Sequence, residues 1–320
     1  MGPSTSDSLP FPRIKWPGGK AFAFTVFDDP DFQSLDRGIP VYDFLTDAGF
    51  RTTKGVWPGD EACPPADRWG TCMDPEYLKW ALSLRDRGFE IGWHGASPRT
   101  SSREKTVAGF ESFRRMFGDW PVTMSQHYTC KENLYWGDNR LSSGPRRFAY
   151  NVLTRWKNHN AFHGHVPGHP NYWGDLSKNY LKYARNFVFA EINTLATCPY
   201  MPYHDPARPE VNYWYASAEG HNVNSFTRML REENQDKLEA EGGACIMYAH
   251  FAYGFASEGE VDARFRNLME RLRRKNGWFV PVATLLDYIA EQRGPITLDA
   301  RQRNALERRW LMHKVRFGTA

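Results

Sequence analysis

Ala21-Phe22-Ala23-Phe24-Thr25-Val26-Phe27-Asp28-Asp29-Pro30-Asp31 is the stretch from which the rest of the chain is read. Its β-branched and aromatic residues run straight into two adjacent carboxylates. A strand carries hydrophobic side chains well and ionised ones badly, so the acid pair belongs where a strand emerges, at its C-terminal end. Neighbouring carboxylates repel, and they need a cation or a shared proton. A bound metal ion and a general base would use such a pair. A helix cap or polar turn built by Asp28, Asp29 and Asp31 is the plainer alternative, and this stretch alone leaves both open.

Working outward, the pattern alternates between strands and helices. A strand is expected at about 21–27, a helix at 38–49 stopped by Gly49, and a strand at 51–57. Asp74 caps a helix to about Arg87 with Pro75 at its first position. Phe89-Glu90-Ile91-Gly92-Trp93-His94 reads as a short strand delivering a histidine, and Pro121–Gln126 as another leading to His127. Between them, residues 103–117 place Phe110, Phe113 and Phe117 at helical spacing, as core residues. Further on, helices are expected over Arg146–Trp156 and Asp175–Arg185, a strand over Phe187–Ile192, and a long irregular loop over 198–224. Ala244–Phe251 is a buried strand ending in His250. A charged helix at about 259–275, a strand-to-helix join at Gly277–Pro281, a helix over Val282–Gln292 and a helical tail complete the chain. Strands alternating with helices of this length argue for a parallel α/β sheet or barrel. No Gly-rich phosphate loop follows any expected strand.

Composition narrows the classes. At 320 residues the chain is long enough for one large α/β domain or two ordinary ones. A net charge of +4, with acids and bases interspersed, gives nucleic-acid binding no support. A basic run at 301–316 reads as a solvated helix face. Aromatic content of 15% exceeds what a core needs, and Tyr213-Trp214-Tyr215 reads equally as a sugar-lining surface or as packing. The five cysteines show no CxxC pair, so a zinc knuckle is not expected; reduced thiols are the simpler assumption, although Cys63 and Cys72 could bridge. The N-terminus lacks a signal-peptide pattern and no apolar run reaches membrane-spanning length, so a cytoplasmic location without a membrane span is expected.

Three strand ends therefore carry polar groups: Asp28 with Asp29, His94, and His250, with His127 as a fourth. In a parallel barrel all strand C-termini open on one face, where active sites form. The cluster His163-Gly164-His165-Val166-Pro167-Gly168-His169 is a rival metal site, read mainly as solvated loop histidines.

At these residues the sequence resembles the polysaccharide deacetylase family, carbohydrate esterase family four, with its chitooligosaccharide deacetylase homology domain. Thr25-Val26-Phe27-Asp28-Asp29-Pro30-Asp31 resembles the family's Thr-Phe-Asp-Asp-Gly motif with one insertion. The segment from Asp74 to Gly88-Phe89-Glu90-Ile91-Gly92-Trp93-His94 is similar to its helix followed by Gly-His-Glu-Ile-Gly-x-His. Cys245–His250 looks like the late strand ending in Leu-x-His, and the segment from Gly277 to Ile289 like the terminal strand and helix. The resemblance implies a distorted (β/α) barrel over 21–293, with a lead-in at 1–20, a long insertion at about 130–240 and a helical tail at 294–320. It implies Asp28 as general base, His250 as general acid, and Asp29 and His94 as ligands of a divalent metal, zinc above all. The family's second metal-binding histidine falls at Pro98, which cannot ligate, and its Arg-x-Pro-x-Gly segment is replaced by Gln126-His127-Tyr128. His127 is therefore the candidate third ligand or a substrate contact.

The implied function is a hydrolase, a metal-dependent N-deacetylase of an amino sugar or glycan intermediate. The alternatives are a metal-independent amide or imide hydrolase on the same fold, and a non-catalytic glycan-binding protein. A carbohydrate is the implied partner; a homo-oligomer is compatible with the sequence.

Overall fold

The computed structural model describes residues 11–59 and 69–320. Cys63, and with it the Cys63–Cys72 pairing, lies outside the described residues. Among the described residues, Cys72, Cys130, Cys198 and Cys245 are buried and form no disulfide with one another.

Seven strands close into a parallel barrel: Phe22–Asp28 (β1), Thr53–Val56 (β2), Glu90–Trp93 (β3), Thr123–Met124 (β4), Tyr183–Phe189 (β5), Tyr213–Ala218 (β6) and Ala244–Ala249 (β7). Each pairs in parallel with the next, and β7 returns to β1 with Ala23–Asp28 against Ala244–Ala249. Every residue of β1 is buried, as expected for a strand covered on both faces. The ring is distorted at one seam. β2 pairs only with Phe27 and Asp28, while Gly277–Phe279 (β8) pairs with Phe22–Phe24 at the other end of the same strand. Inside the barrel the Phe27 ring fits because β3 has a glycine there: a Cβ on Gly92 would lie 2.8 Å from that ring.

The helices lie outside. Leu35–Asp47 (α1), Pro75–Asp86 (α2) and Arg103–Phe117 (α3) follow the first three strands. Asp74 caps α2, its carboxylate accepting the Glu76 amide at 2.9 Å. Phe110, Phe113 and Phe117 of α3 are buried in the core. After β4 come Gly144–Leu153 (α4) and several shorter helices. Glu232–Glu241 (α5), Ala263–Arg273 (α6), Val282–Arg293 (α7) and Ala300–Phe317 (α8) follow later. Glu90, at the start of β3, closes the barrel bottom. It accepts hydrogen bonds from Thr53 and Thr123 and from the Ala283 amide at the start of α7.

The middle of the chain departs from expectation. The helix expected over Asp175–Arg185 ends at Tyr180, and β5 begins at Tyr183. The long loop expected over 198–224 contains barrel strand β6, with Trp214 and Tyr215 fully buried, so these two rings pack rather than line a groove. The insertion thus supplies two barrel strands. The basic tail is more than a solvated face: Trp310 is buried, and Glu307 inside α8 accepts hydrogen bonds from Ser142 and Arg208. Among the described residues, no helix is long and apolar enough to cross a membrane.

Candidate active site

The C-terminal mouth of the barrel opens into a cavity of about 560 Å³. Asp29, Asp31, His94, His127 and His250 all line it, and Asp28 does not. Strand geometry separates the neighbouring acids. Successive side chains on a strand point to opposite sides, so a consecutive pair cannot share one environment.

Asp28 turns outward into a closed nest between β1, β2 and α1. Its carboxylate lies 3.3 Å from Lys54 Nζ and accepts hydrogen bonds from the Tyr42 hydroxyl at 3.0 Å, Gln33 at 3.1 Å and the Phe251 amide at 2.7 Å. Neither Asp28 nor Lys54 is exposed. Burial pushes the Asp28 carboxyl up and the Lys54 ammonium down. The general base expected at Asp28 would need an open path to substrate, and the side chain faces this nest instead.

Asp29 faces the cavity. Arg185, in the middle of β5, donates to both of its oxygens, at 3.1 and 2.5 Å, and the Ser125 hydroxyl donates at 2.6 Å. Burial pushes this carboxyl up, but the Arg185 guanidinium outweighs it and holds the group below the usual carboxylate value. Arg185 also lies under the Tyr248 ring at 4.3 Å.

Asp31, in the turn after β1, gathers the histidines. His127 Nε2 lies 2.9 Å from one of its oxygens; His94 Nε2 and His250 Nε2 lie 3.2 and 3.4 Å from the other. Three separate strand ends bring these rings together: His94 follows β3, His127 lies three residues after β4, and His250 follows β7. Their outer nitrogens are occupied. His94 Nδ1 bonds the Ser125 hydroxyl at 2.7 Å, and His250 Nδ1 bonds the His221 carbonyl at 2.9 Å. The inner nitrogens are thereby directed at Asp31. His94 Nε2 and Asp31 Oδ2 are both buried without a hydrogen-bond partner. Burial lowers the His94 pKa and so favours a neutral ring with a free lone pair. For His250 burial also lowers the value, but Asp31 outweighs it and raises the ring above its usual value.

The donor set fits a divalent cation. Oxygens of Asp29 and Asp31 and a nitrogen of His250 lie within 4.8 Å of one another, and His94 and His127 flank them. Carboxylate and imidazole ligands with their outer nitrogens hydrogen-bonded are the usual surroundings of zinc and its neighbours. Pro98 contributes no ligand, and a third imidazole stands on the other strand ends instead. The rival histidines are not gathered in this way. His163 and His169 stack on each other at 4.0 Å, while His165 accepts the Tyr135 amide at 3.1 Å.

Asp31, Arg185 and Ser125 were not singled out from sequence as site residues with roles. Asp31 lay past a proline and read as turn. Arg185 fell in a segment read as helix. An arginine inside a hydrophobic run such as Tyr183–Phe189 is itself a signal, since a buried guanidinium needs a carboxylate.

Comparison with solved structures returns the same architecture. A protein provisionally named a polysaccharide deacetylase, from Mycobacterium smegmatis, superposes with a TM-score of 0.53 at 13% identity, covering 91% of this chain and 98% of that one. An allantoinase gives a TM-score of 0.49 at 11% identity, covering 88% and 94%. A probable polysaccharide deacetylase from Pseudomonas aeruginosa gives 0.47 at 12% identity, covering 88% and 95%. No family model matches the sequence, and no curated protein matches it. The chain has the (β/α) barrel fold of the polysaccharide deacetylases.

Proposed function

We propose that this chain is a metal-assisted hydrolase of a carbon–nitrogen bond, acting as an N-deacetylase or a related amidohydrolase on a sugar-sized substrate. One observation carries the reading: three imidazole Nε2 atoms from three strand ends converge on the buried Asp31 carboxylate at the barrel mouth. The fold shared with polysaccharide deacetylases supports it.

In this proposal Asp31 would hold the ion with His94 and His127, whose Nε2 atoms lie 3.2 and 2.9 Å from its carboxylate; Asp29 and His250, whose donor atoms share one 4.8 Å group with that of Asp31, stand beside it for acid–base work, in place of the ligand role expected for Asp29. The ion, when bound, polarises an acyl carbonyl and makes water a better nucleophile at neutral pH. Asp29 is the base. It lines the cavity, is ionised, and is held in one orientation by Arg185 and Ser125. The Arg185 guanidinium that lowers its pKa makes it a modest base. Ser125 bridges Asp29 and His94, so the base and the ligand are set by one hydroxyl. His250 keeps its Nδ1 on the His221 carbonyl, and its Nε2 faces the cavity to protonate the departing amine. Asp28 and Lys54 form the frame behind the site.

Metal analysis joined to an amidase assay tests this. The purified protein should hold about one equivalent of a divalent ion and release acetate from N-acetyl amino sugars, and Asp31→Asn should lose both. A protein without metal whose turnover survives in Asp31→Asn would overturn the reading. Retained glycan binding without turnover in any metal form would leave a binding protein.

A further inference from the structure

Three arginines are fully buried among the described residues: Arg140, Arg185 and Arg208. Arg185 is paired with Asp29, and Arg208 with Asp205 and Glu307. Arg140 has no carboxylate partner among the described residues. Its Nε and Nη2 atoms are buried and make no hydrogen bond. The guanidinium lies 3.4 Å from the centre of the Trp136 ring and 5.1 Å from that of Trp310. Stacking fixes its plane, but it does not replace an anion.

This group lines the same cavity as the acid–histidine cluster, and a second cation lines it too. Lys314, from α8, donates to the Thr319 carbonyl at 2.7 Å and makes no close ion pair among the described residues, Glu219 attracting it only from a distance. Tyr150 stands beside them. Its hydroxyl accepts from Asn158 at 2.9 Å, which leaves its own proton to donate. Burial pushes Arg140 down to about 9, and burial together with Arg140 pushes Lys314 down to about 8. Folding therefore gathers in one wall two cations without a close ion pair among the described residues and a hydroxyl donor, and it leaves two guanidinium nitrogens of Arg140 without an acceptor.

We propose that this wall is an oxyanion subsite, in which Arg140, Lys314 and Tyr150 bind a carboxylate or phosphate group carried by the substrate. The claim about substrate rests on the hydrolase reading above; the claim that an oxyanion binds here does not. A planar guanidinium already oriented by Trp136 suits two-point contact with either group. A cavity of about 560 Å³ takes a small molecule. The substrate class becomes a small anionic amide, with its acyl nitrogen at Asp31 and its acid group at Arg140.

The experiment uses inorganic phosphate as the probe, then three substrates: N-acetylglucosamine, its 6-phosphate, and the carboxylate-bearing N-acetylmuramic acid. Phosphate should bind the wild-type protein in calorimetry and raise its Tm, before and after chelation, which separates this wall from any metal. Arg140→Met should melt at or above the wild type, because it removes an uncompensated buried charge and keeps the stem packed. It should lose the phosphate response, and its kcat/KM preference for charged over neutral substrate should fall by about tenfold to a hundredfold. Lys314→Met should shift the same readouts in the same direction. The two charged substrates show which acid is preferred. Phosphate binding without hydrolysis of any of the three would support the subsite and count against the hydrolase. Absent phosphate binding after chelation, or a response unchanged in both variants, would overturn the proposal.

Discussion

The sharpest test of the site concerns Asp28, which leads the acid motif yet faces Lys54 instead of the cavity. Lys54→Met leaves the Asp28 carboxylate enclosed among neutral donors. Removing one partner of a buried ion pair costs about 3–5 kcal/mol. At about 2.1 cal/mol/K of unfolding entropy per residue, 320 residues give about 0.7 kcal/mol/K, so Tm should fall by about 4–7 °C at pH 7. Burial already holds Asp28 above its usual carboxylate value, and loss of the ammonium raises it further. A raised folded pKa favours the folded state below the unfolded value and loses that contribution as pH rises through the folded value. The deficit should therefore be small near pH 4 and grow toward pH 7. Asp28→Asn with Lys54→Met removes both charges together. The Phe251 amide keeps an acceptor, and Gln33 Oε1, which is buried without a partner, can turn to meet the new amide. The double variant should regain about 2 kcal/mol of the deficit. Thermal unfolding at several pH values measures this, and acetate release from N-acetyl substrates measures activity. Turnover should stay within about threefold of wild type, whereas losing a general base costs about 10²–10⁴. A folded, metal-loaded double variant slowed by about 10² or more would refute the reasoning and return the base role to Asp28.

Other substitutions probe the neighbouring groups. Arg185→Met removes the guanidinium that holds the Asp29 pKa down. A depressed carboxylate stabilises above its unfolded value and loses this as pH falls through the folded one, so the Tm gap to wild type should be full at pH 7 and close below about pH 4. A gap independent of pH would count against the pairing. Ser125→Ala breaks the bridge between His94 and Asp29 and should weaken metal affinity by about tenfold to a hundredfold; an unchanged metal titration would remove Ser125 from the site. Gly164→Ala places a Cβ 1.8 Å from the Glu132 carbonyl oxygen. Such overpacking should cost about 1–3 kcal/mol and lower Tm by about 1–4 °C, and calorimetry showing no change would mean that the loop yields freely.

The barrel was legible because strand ends betray themselves: a hydrophobic run that stops at an acid or a histidine marks a C-terminal mouth. Asp29, His94, His127 and His250 stand out this way as candidates, and the structure brings all four around one cavity. Which of the acids face the cavity was not legible, because it depends on which way each side chain turns at the end of β1. A residue on the neighbouring strand held the missing clue. Lys54 sits inside Thr53–Val56, where every residue is buried, and a lysine there requires a carboxylate close by. Asp28 is that carboxylate, and its commitment to Lys54 leaves Asp29 and Asp31 to face the cavity. Two barrel strands, Tyr183–Phe189 and Tyr213–Ala218, were obscured for a related reason. Polar residues interrupt or follow their apolar runs, and the period-two pattern breaks where β5 carries Arg185. The same rule that identifies Lys54 and Arg185 as paired leaves Arg140 over: a buried charge implies a partner, and for Arg140 the described residues contain none. That remainder was invisible in the sequence, where Arg140 sits among ordinary loop residues, and it becomes a statement about the ligand only once the chain's own carboxylates have been assigned.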